Sequence, residues 1–141
     1  MDEVRKATLI LGCQQAILRF YSALDRSDYD SLAAAMAPEG VWHRQGRALR
    51  GPDEVLAAVR QRPPGRVTAH LVQNLVVDLM NEDEATARYL SLVYRHDGPA
   101  GVDEPAPLST PLSISAGNDR LRRANGEWLV VERRSRRLFG G

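Results

Sequence analysis

The sequence predicts an α+β fold: a cone-shaped, strongly curved antiparallel or mixed β-sheet, a half-barrel, with three helices from the N-terminal half closing its pocket. Three observations carry this. Over the first part of the chain apolar residues recur at three- and four-residue spacings, the helical period. From Val67 onward the period changes to two. Short polar turns then join extended runs into a meander, which antiparallel neighbours permit and parallel ones do not.

Taken in order, Leu9, Cys13, Ala16, Ile17, Phe20 and Leu24 stack on one helical face, with Tyr21 on its flank and Asp25 one turn beyond it. Ser27 or Asp28 caps a second helix carrying Tyr29, Leu32, Ala35 and Met36, and Pro38 and Gly40 end it. Val41 to Arg44 reads as a short strand. A turn through Gly46 and Gly51 leads to Pro52, a favoured first helical residue, and to a helix over Asp53 to Arg60, stopped by Pro63-Pro64-Gly65. Four extended runs follow: Val67 to Leu79, Ala85 to Arg95, Leu112 to Arg123 and Glu127 to Leu138. Asn81-Glu82-Asp83 joins the first two. Ala124-Asn125-Gly126 joins the last two, and Asn-Gly suits a type I′ turn because both central positions need positive φ. Between them His96 to Pro111, with four prolines, forms a long polar loop.

At 141 residues the chain reads as one domain over 1–141, with room for a real core. The stretch Ala7 to Leu18 is too short to cross a bilayer, no leader of secretory type opens the chain, and Cys13 has no partner for a disulfide or zinc-thiolate cluster. A cytoplasmic setting without membrane contact is expected. Net charge is +1, so no strong field draws the protein to nucleic acid. Every cation but Lys6 is Arg, and seven lie between Arg120 and Arg137. Asp119, Glu127 and Glu132 interrupt that cluster, and no recognition helix or aromatic platform accompanies it. It reads as the solvated face of two terminal strands, and nucleic acid is not an expected partner.

Three histidines and the early aspartates are the candidates for chemistry. Alternation places Thr68, His70, Val72 and Asn74 on one strand face, mixed as a pocket wall is, and Leu71, Leu75, Val77 and Leu79 on the other, which looks packed. The competing reading of His70 is a solvated or internally satisfied strand histidine. Asp25, at the edge of the apolar stripe, can turn its carboxylate inward if a donor such as an imidazole N–H meets it; otherwise it is a solvated helix end. His43, beside Trp42, can line the same mouth, whereas His96 precedes a turn and is expected in solvent. A phosphate loop, a nucleophile elbow and a helical zinc-type histidine pair are all missing, so neither metal nor cofactor is expected.

The segments Phe20-Tyr21-Ser22-Ala23-Leu24-Asp25-Arg26-Ser27-Asp28-Tyr29-Asp30-Ser31-Leu32, Ala69-His70-Leu71-Val72-Gln73-Asn74 and Arg120-Leu121-Arg122-Arg123-Ala124-Asn125-Gly126-Glu127-Trp128 resemble the nuclear transport factor 2-like superfamily, within it the SnoaL-like and scytalone dehydratase-like group. The resemblance runs from about Ala7 to Leu138. It implies a cone-shaped barrel with one cavity per chain, often a homodimer through its sheet. By resemblance to scytalone dehydratase, Asp25 matches the aspartate that orients a pocket histidine, and His70 matches that histidine, acting as base and then acid. Ser115 matches a serine of the third long strand. His43 stands near that enzyme's tyrosine, Tyr89 near its second histidine, and Gly117 where it has an asparagine, with Asn118 alongside; these are departures.

A neutral imidazole can remove a proton alpha to a carbonyl and return it to a departing hydroxide, while the aspartate fixes the tautomer. The expected function is therefore a cofactor-free lyase or isomerase, dehydratase- or cyclase-like, acting on a small apolar carbonyl compound. Asp25 and His70 are the catalytic pair, and Tyr21, Trp42, His43, Asn74, Tyr89 and Ser115 the substrate-binding residues. Two alternatives stand beside it. One is a non-catalytic ligand-binding or dimerisation module of the same fold. The other is an aldolase or cyclase with Asp25 as base.

Overall fold

A computed structural model describes residues 1–140. Its elements are α1 (Glu3–Asp25), α2 (Tyr29–Ala34), β1 (Met36–Arg44), β2 (Arg47–Arg50), α3 (Gly51–Val59), β3 (Arg66–Leu79), β4 (Glu84–Asp97), β5 (Ser113–Ala124) and β6 (Glu127–Gly140). The strands form one curved, unclosed sheet in the order β2-β1-β6-β5-β4-β3. All pairs are antiparallel except β1–β6, which makes the sheet mixed.

Asp2 caps α1 by accepting from the Arg5 amide at 2.7 Å. The expected stripe is the buried one: Leu9, Cys13, Ile17, Phe20 and Leu24 face the sheet, with Tyr21 and Ala23 beside them. Burying a side chain such as Ile17, Phe20 or Leu32 contributes about 1.5–3 kcal/mol relative to leaving it in water. Phe20 meets Trp42 edge-on at 5.1 Å between centroids. Burial pushes the Cys13 thiol up to about 12, helped by the Asp119 charge, so this cysteine is an inert packing group. Among the described residues no helix is long and apolar enough to cross a membrane.

Asp28, not Ser27, caps α2, and Ser27 itself takes a positive φ of 57°. Met36 leaves the helix that the sequence assigns it. The Val130 amide donates to the Ala35 carbonyl at 2.9 Å and Met36 pairs with Val130, so the chain is drawn into the sheet at once. β1 therefore starts five residues earlier than its apolar core suggested, with an irregularity between Met36 and Val41 that absorbs Pro38. Gly40 is required there, since a Cβ would overlap the Val130 carbonyl oxygen. The segment read as a turn contains β2, reached through Gln45 and Gly46, both at positive φ as a tight hairpin turn demands.

Register decides what the concave face displays. His70 pairs with Val93, Val72 with Ser91, Ser91 with Ser115, and Ser115 with Arg137, so these residues form rows across the sheet. In β3 one extra residue lies between Gln73 and Val76, with Asn74 at φ 55°. This bulge swaps the faces beyond it: Thr68, His70 and Val72 are turned inward before it, and Leu75, Val77 and Leu79 after it. Two expectations fail for that reason. Asn74 is exposed and away from the pocket, and Leu71 lies on the outer face, 42% exposed, instead of in a packed one.

Candidate active site

Asp25 is the last residue of α1, and its carboxylate reaches the inward face of β3. There Oδ1 meets His70 Nδ1 at 2.6 Å and accepts from the Thr68 hydroxyl at 2.8 Å, while Oδ2 accepts from the His70 amide at 2.7 Å. β3 ends the sheet, so outward amides on its free edge have no strand partner, and the carboxylate satisfies one of them. Arg62 braces the junction, donating to the Leu24 carbonyl and to Thr68 Oγ1, both at 2.8 Å. Burial pushes the Asp25 carboxyl up, but the bonds from the His70 ring and amide and from Thr68 outweigh it and hold it below its ordinary value. An ionised carboxylate only accepts, so Nδ1 carries a proton, and in the neutral ring Nε2 then presents a lone pair.

His70 lines a cavity of about 390 Å³ open on one side, shared with Tyr21, Trp42, His43, Tyr89 and Ser115. Those five expected substrate-binding residues are thus brought together; Asn74 is not, and Asp25 stands behind His70 rather than on the wall. Tyr21 stacks on the His70 ring, 5.3 Å between centroids. His43 Nε2 lies 3.3 Å from Glu132 Oε2, a bond that leads in holding that carboxyl below its usual range. Tyr89 fills the place a side chain at position 117 would need: a Cβ on Gly117 would overlap its ring. Among the described residues no group of three or more His, Cys, Asp and Glu is placed to hold a metal ion.

Beneath the cavity runs a chain that sequence reasoning missed. Arg133 is buried and donates through Nε and Nη2 to Asp119 at 2.9 and 2.6 Å. Tyr89 donates to Asp119 Oδ1 at 3.0 Å and lies 2.9 Å from the Tyr21 hydroxyl. Burial raises both phenols, so both keep their protons. Tyr89 has spent its proton on Asp119, and Tyr21 must therefore donate to Tyr89. Neither phenol has a hydrogen left for a ligand oxygen; Tyr21 offers an acceptor only. The alternation that should have shown Arg133 breaks where Val131 is extra in β6, between the partners of Arg120 and Leu121.

Residues 5–134 match the model of the SnoaL-like domain family. The chain belongs to that family. Among curated proteins none matches the sequence. Among solved structures, this SnoaL-like chain resembles a candidate scytalone dehydratase from Novosphingobium aromaticivorans at 18% identity and TM-score 0.78, covering 98% of this chain and 89% of that one. It resembles a type 2 hexachlorocyclohexane dehydrochlorinase (LinA) at 13% and 0.80, covering 98% and 90%. A Catenulispora acidiphila protein, solved in complex with S-DNPA, is 24% identical with TM-score 0.74, covering 93% and 94%. At these identities the likeness is one of fold.

Two outcomes follow for the SnoaL-like site. Gly117→Ala is expected to displace the Tyr89 ring and destabilise the protein by about 1–3 kcal/mol, as overpacking does; an unchanged denaturant midpoint and near-ultraviolet dichroism would contradict this. The depressed Asp25 carboxyl adds stability that is complete above its ordinary value of 3.8 and is lost as pH falls through its lower folded value. The stability advantage of the protein over Asp25→Asn should accordingly shrink in urea titrations carried from neutral to strongly acidic pH. A constant difference would show that the carboxylate charge adds nothing.

Proposed function

We propose that the chain is a cofactor-free lyase or isomerase worked by the Asp25–His70 pair. The observation that carries this reading is the 2.6 Å contact of Nδ1 with the carboxylate, which leaves Nε2 as the ring nitrogen on the cavity side. Nε2 takes a proton from the carbon alpha to a substrate carbonyl, and Asp25 stabilises the imidazolium formed. In a dehydration the electron pair then expels a β-hydroxyl, which leaves with that proton as water. In an isomerisation the proton returns to another carbon of the enolate. Of the neutral hydroxyls on the wall without a side-chain partner, Ser91, Ser115 and Ser135, we assign Ser115 to the developing oxyanion, since Tyr89 has no proton to give.

Asp25 is a poor candidate for the base itself. Its oxygens already accept three hydrogen bonds, and its carboxyl is held below the ordinary value, the wrong direction for proton abstraction. The test is substrate-tolerant: β-hydroxy ketones and β-hydroxy acids are incubated with the protein in deuterium oxide, and loss of the α-hydrogen signal or appearance of the alkene is followed by proton NMR. Exchange or elimination faster than with His70→Gln is expected. Equal rates across the series would leave the fold a binding module.

A further inference from the structure

The cavity wall is mixed, as its strand pattern predicts, but it is far more cationic than a small apolar substrate would need. Tyr21, Trp42, Val93 and Leu112 supply an apolar portion, but Arg44, Arg62, Arg66, Arg95 and Arg137 also line it, and no aspartate or glutamate does. The nearest carboxylates are engaged elsewhere. Asp97 is held by Arg66 through two bonds of 2.7 and 3.0 Å, Asp25 by His70, and Glu132 by His43. Arg62 donates to neutral oxygens only. Among the described residues Arg44 and Arg95 have no carboxylate within ion-pair distance.

These cations are set close to the dyad. Arg95 pairs in register with Thr68, one inward position along the strands from the His70–Val93 pair. Arg44 lies with its guanidinium carbon 5.3 Å from the Trp42 ring centroid, within cation–π range. Burial, then the charges of Arg62, Arg66 and Arg47, push Arg44 below the usual arginine value. Like charges that outnumber their counter-charges around a cavity cost stability, and folds carry such costs at sites that a ligand completes. A guanidinium fork matches the two oxygens of a carboxylate.

We propose that the substrate is an anion: a carboxylate-bearing hydroxy-carbonyl compound whose carboxylate seats between Arg44, Arg62 and Arg95 while its acidic carbon faces His70. The substrate class rests on the function proposed above, since it takes the cavity of the dyad as the substrate site. Its test reads binding and not turnover. Benzoate, salicylate and mandelate, each beside its neutral amide, are titrated by calorimetry against the wild-type protein, against Arg44→Met/Arg95→Met and against His70→Gln. The acids are expected to bind at least about tenfold more tightly than the amides. The preference should weaken with added salt, fall to within about twofold in the methionine double variant, and survive in His70→Gln.

Arg44→Lys/Arg95→Lys keeps the charges without the forks and should retain part of the preference, which guards against misfolding of the methionine variant; circular dichroism checks both. Equal binding of acids and amides, or no binding of either, overturns the proposal. So does a preference indifferent to Arg44 and Arg95, because the anion then sits elsewhere. Selective binding with no exchange or elimination in deuterium oxide keeps the anionic ligand and removes the catalyst. Turnover of neutral ketones without acid preference does the reverse.

Discussion

Replacing His70 with Gln is expected to lower the rate constant for α-proton removal by about a thousandfold while leaving the fold intact, the usual contribution of one positioned base lying between about 10²- and 10⁴-fold. Gln can keep a donor near Asp25, so the junction of α1 and β3 stays bonded, but its amide has no basic nitrogen to present to the cavity. Loss should fall on kcat with little change in KM, because a group that acts in the transition state contributes little to ground-state binding. Asp25→Asn should cost a comparable factor for a different reason. An amide in that place no longer fixes the imidazole with its proton on Nδ1, and it does not stabilise the imidazolium. The two variants together discriminate the mechanisms: with Asp25 as base, His70→Gln would be tolerated and only Asp25→Asn would be inactive. Full activity of both variants would remove the dyad from the chemistry altogether.

The dyad was legible because each partner obeys a simple period. Asp25 closes a helical stripe that the structure buries as expected, and His70 lies before the bulge, where strict alternation still holds. Beyond the bulge alternation misleads. Asn74 is the residue that takes the left-handed conformation, a role for which asparagine is suited, and it surrenders its place on the pocket wall in doing so. Arg133 was hidden by the same device on another strand: one extra residue in β6 turns a single arginine of a solvated-looking cluster into the core. The helices and the four long strands follow from local period and turn chemistry. β2 pairs only with β1, its neighbour in sequence, and its four residues are too few to show a period, whereas the early start of β1 depends on pairing with β6, remote in sequence, at Val130 and Glu132, which local pattern does not encode. The arginine-lined mouth has the same origin, since Arg44, Arg62, Arg95 and Arg137 come from four separate segments.

Removing the Asp119 carboxylate is expected to produce the largest stability loss. Asp119→Ala strands a guanidinium that is itself inaccessible, and breaking one side of a buried pair costs about 3–5 kcal/mol. Tyr89 loses its acceptor in the same step. For a chain of this size that corresponds to a fall of about 10–15 °C in Tm. Arg133→Met should cost less, since its stem packs among aromatic rings (Phe20 at 3.9 Å and Tyr21 at 4.7 Å from the guanidinium carbon) and methionine fills much of that space. Burial opposes the charge on Arg133, yet the Asp119 charge prevails and raises it well above the usual arginine value, so the guanidinium keeps its charge. Arg133 Nη1 is buried with no hydrogen-bond partner, so part of the desolvation cost is never recovered. Asp119→Leu/Arg133→Met should therefore be more stable than Asp119→Ala, and the double-mutant cycle completed by Asp119→Leu and Arg133→Met singly should give a coupling of about 2 kcal/mol or more. Additive effects would mean that the two charges do not support each other. The double variant also separates stability from alignment. With Asp119 gone Tyr89 is free to reverse its hydrogen bond with Tyr21, so the ring stacked on His70 loses the fixed direction of its hydroxyl. A protein that recovers its Tm but not its rate of α-proton exchange would show that the buried pair orients the pocket as well as holding the core.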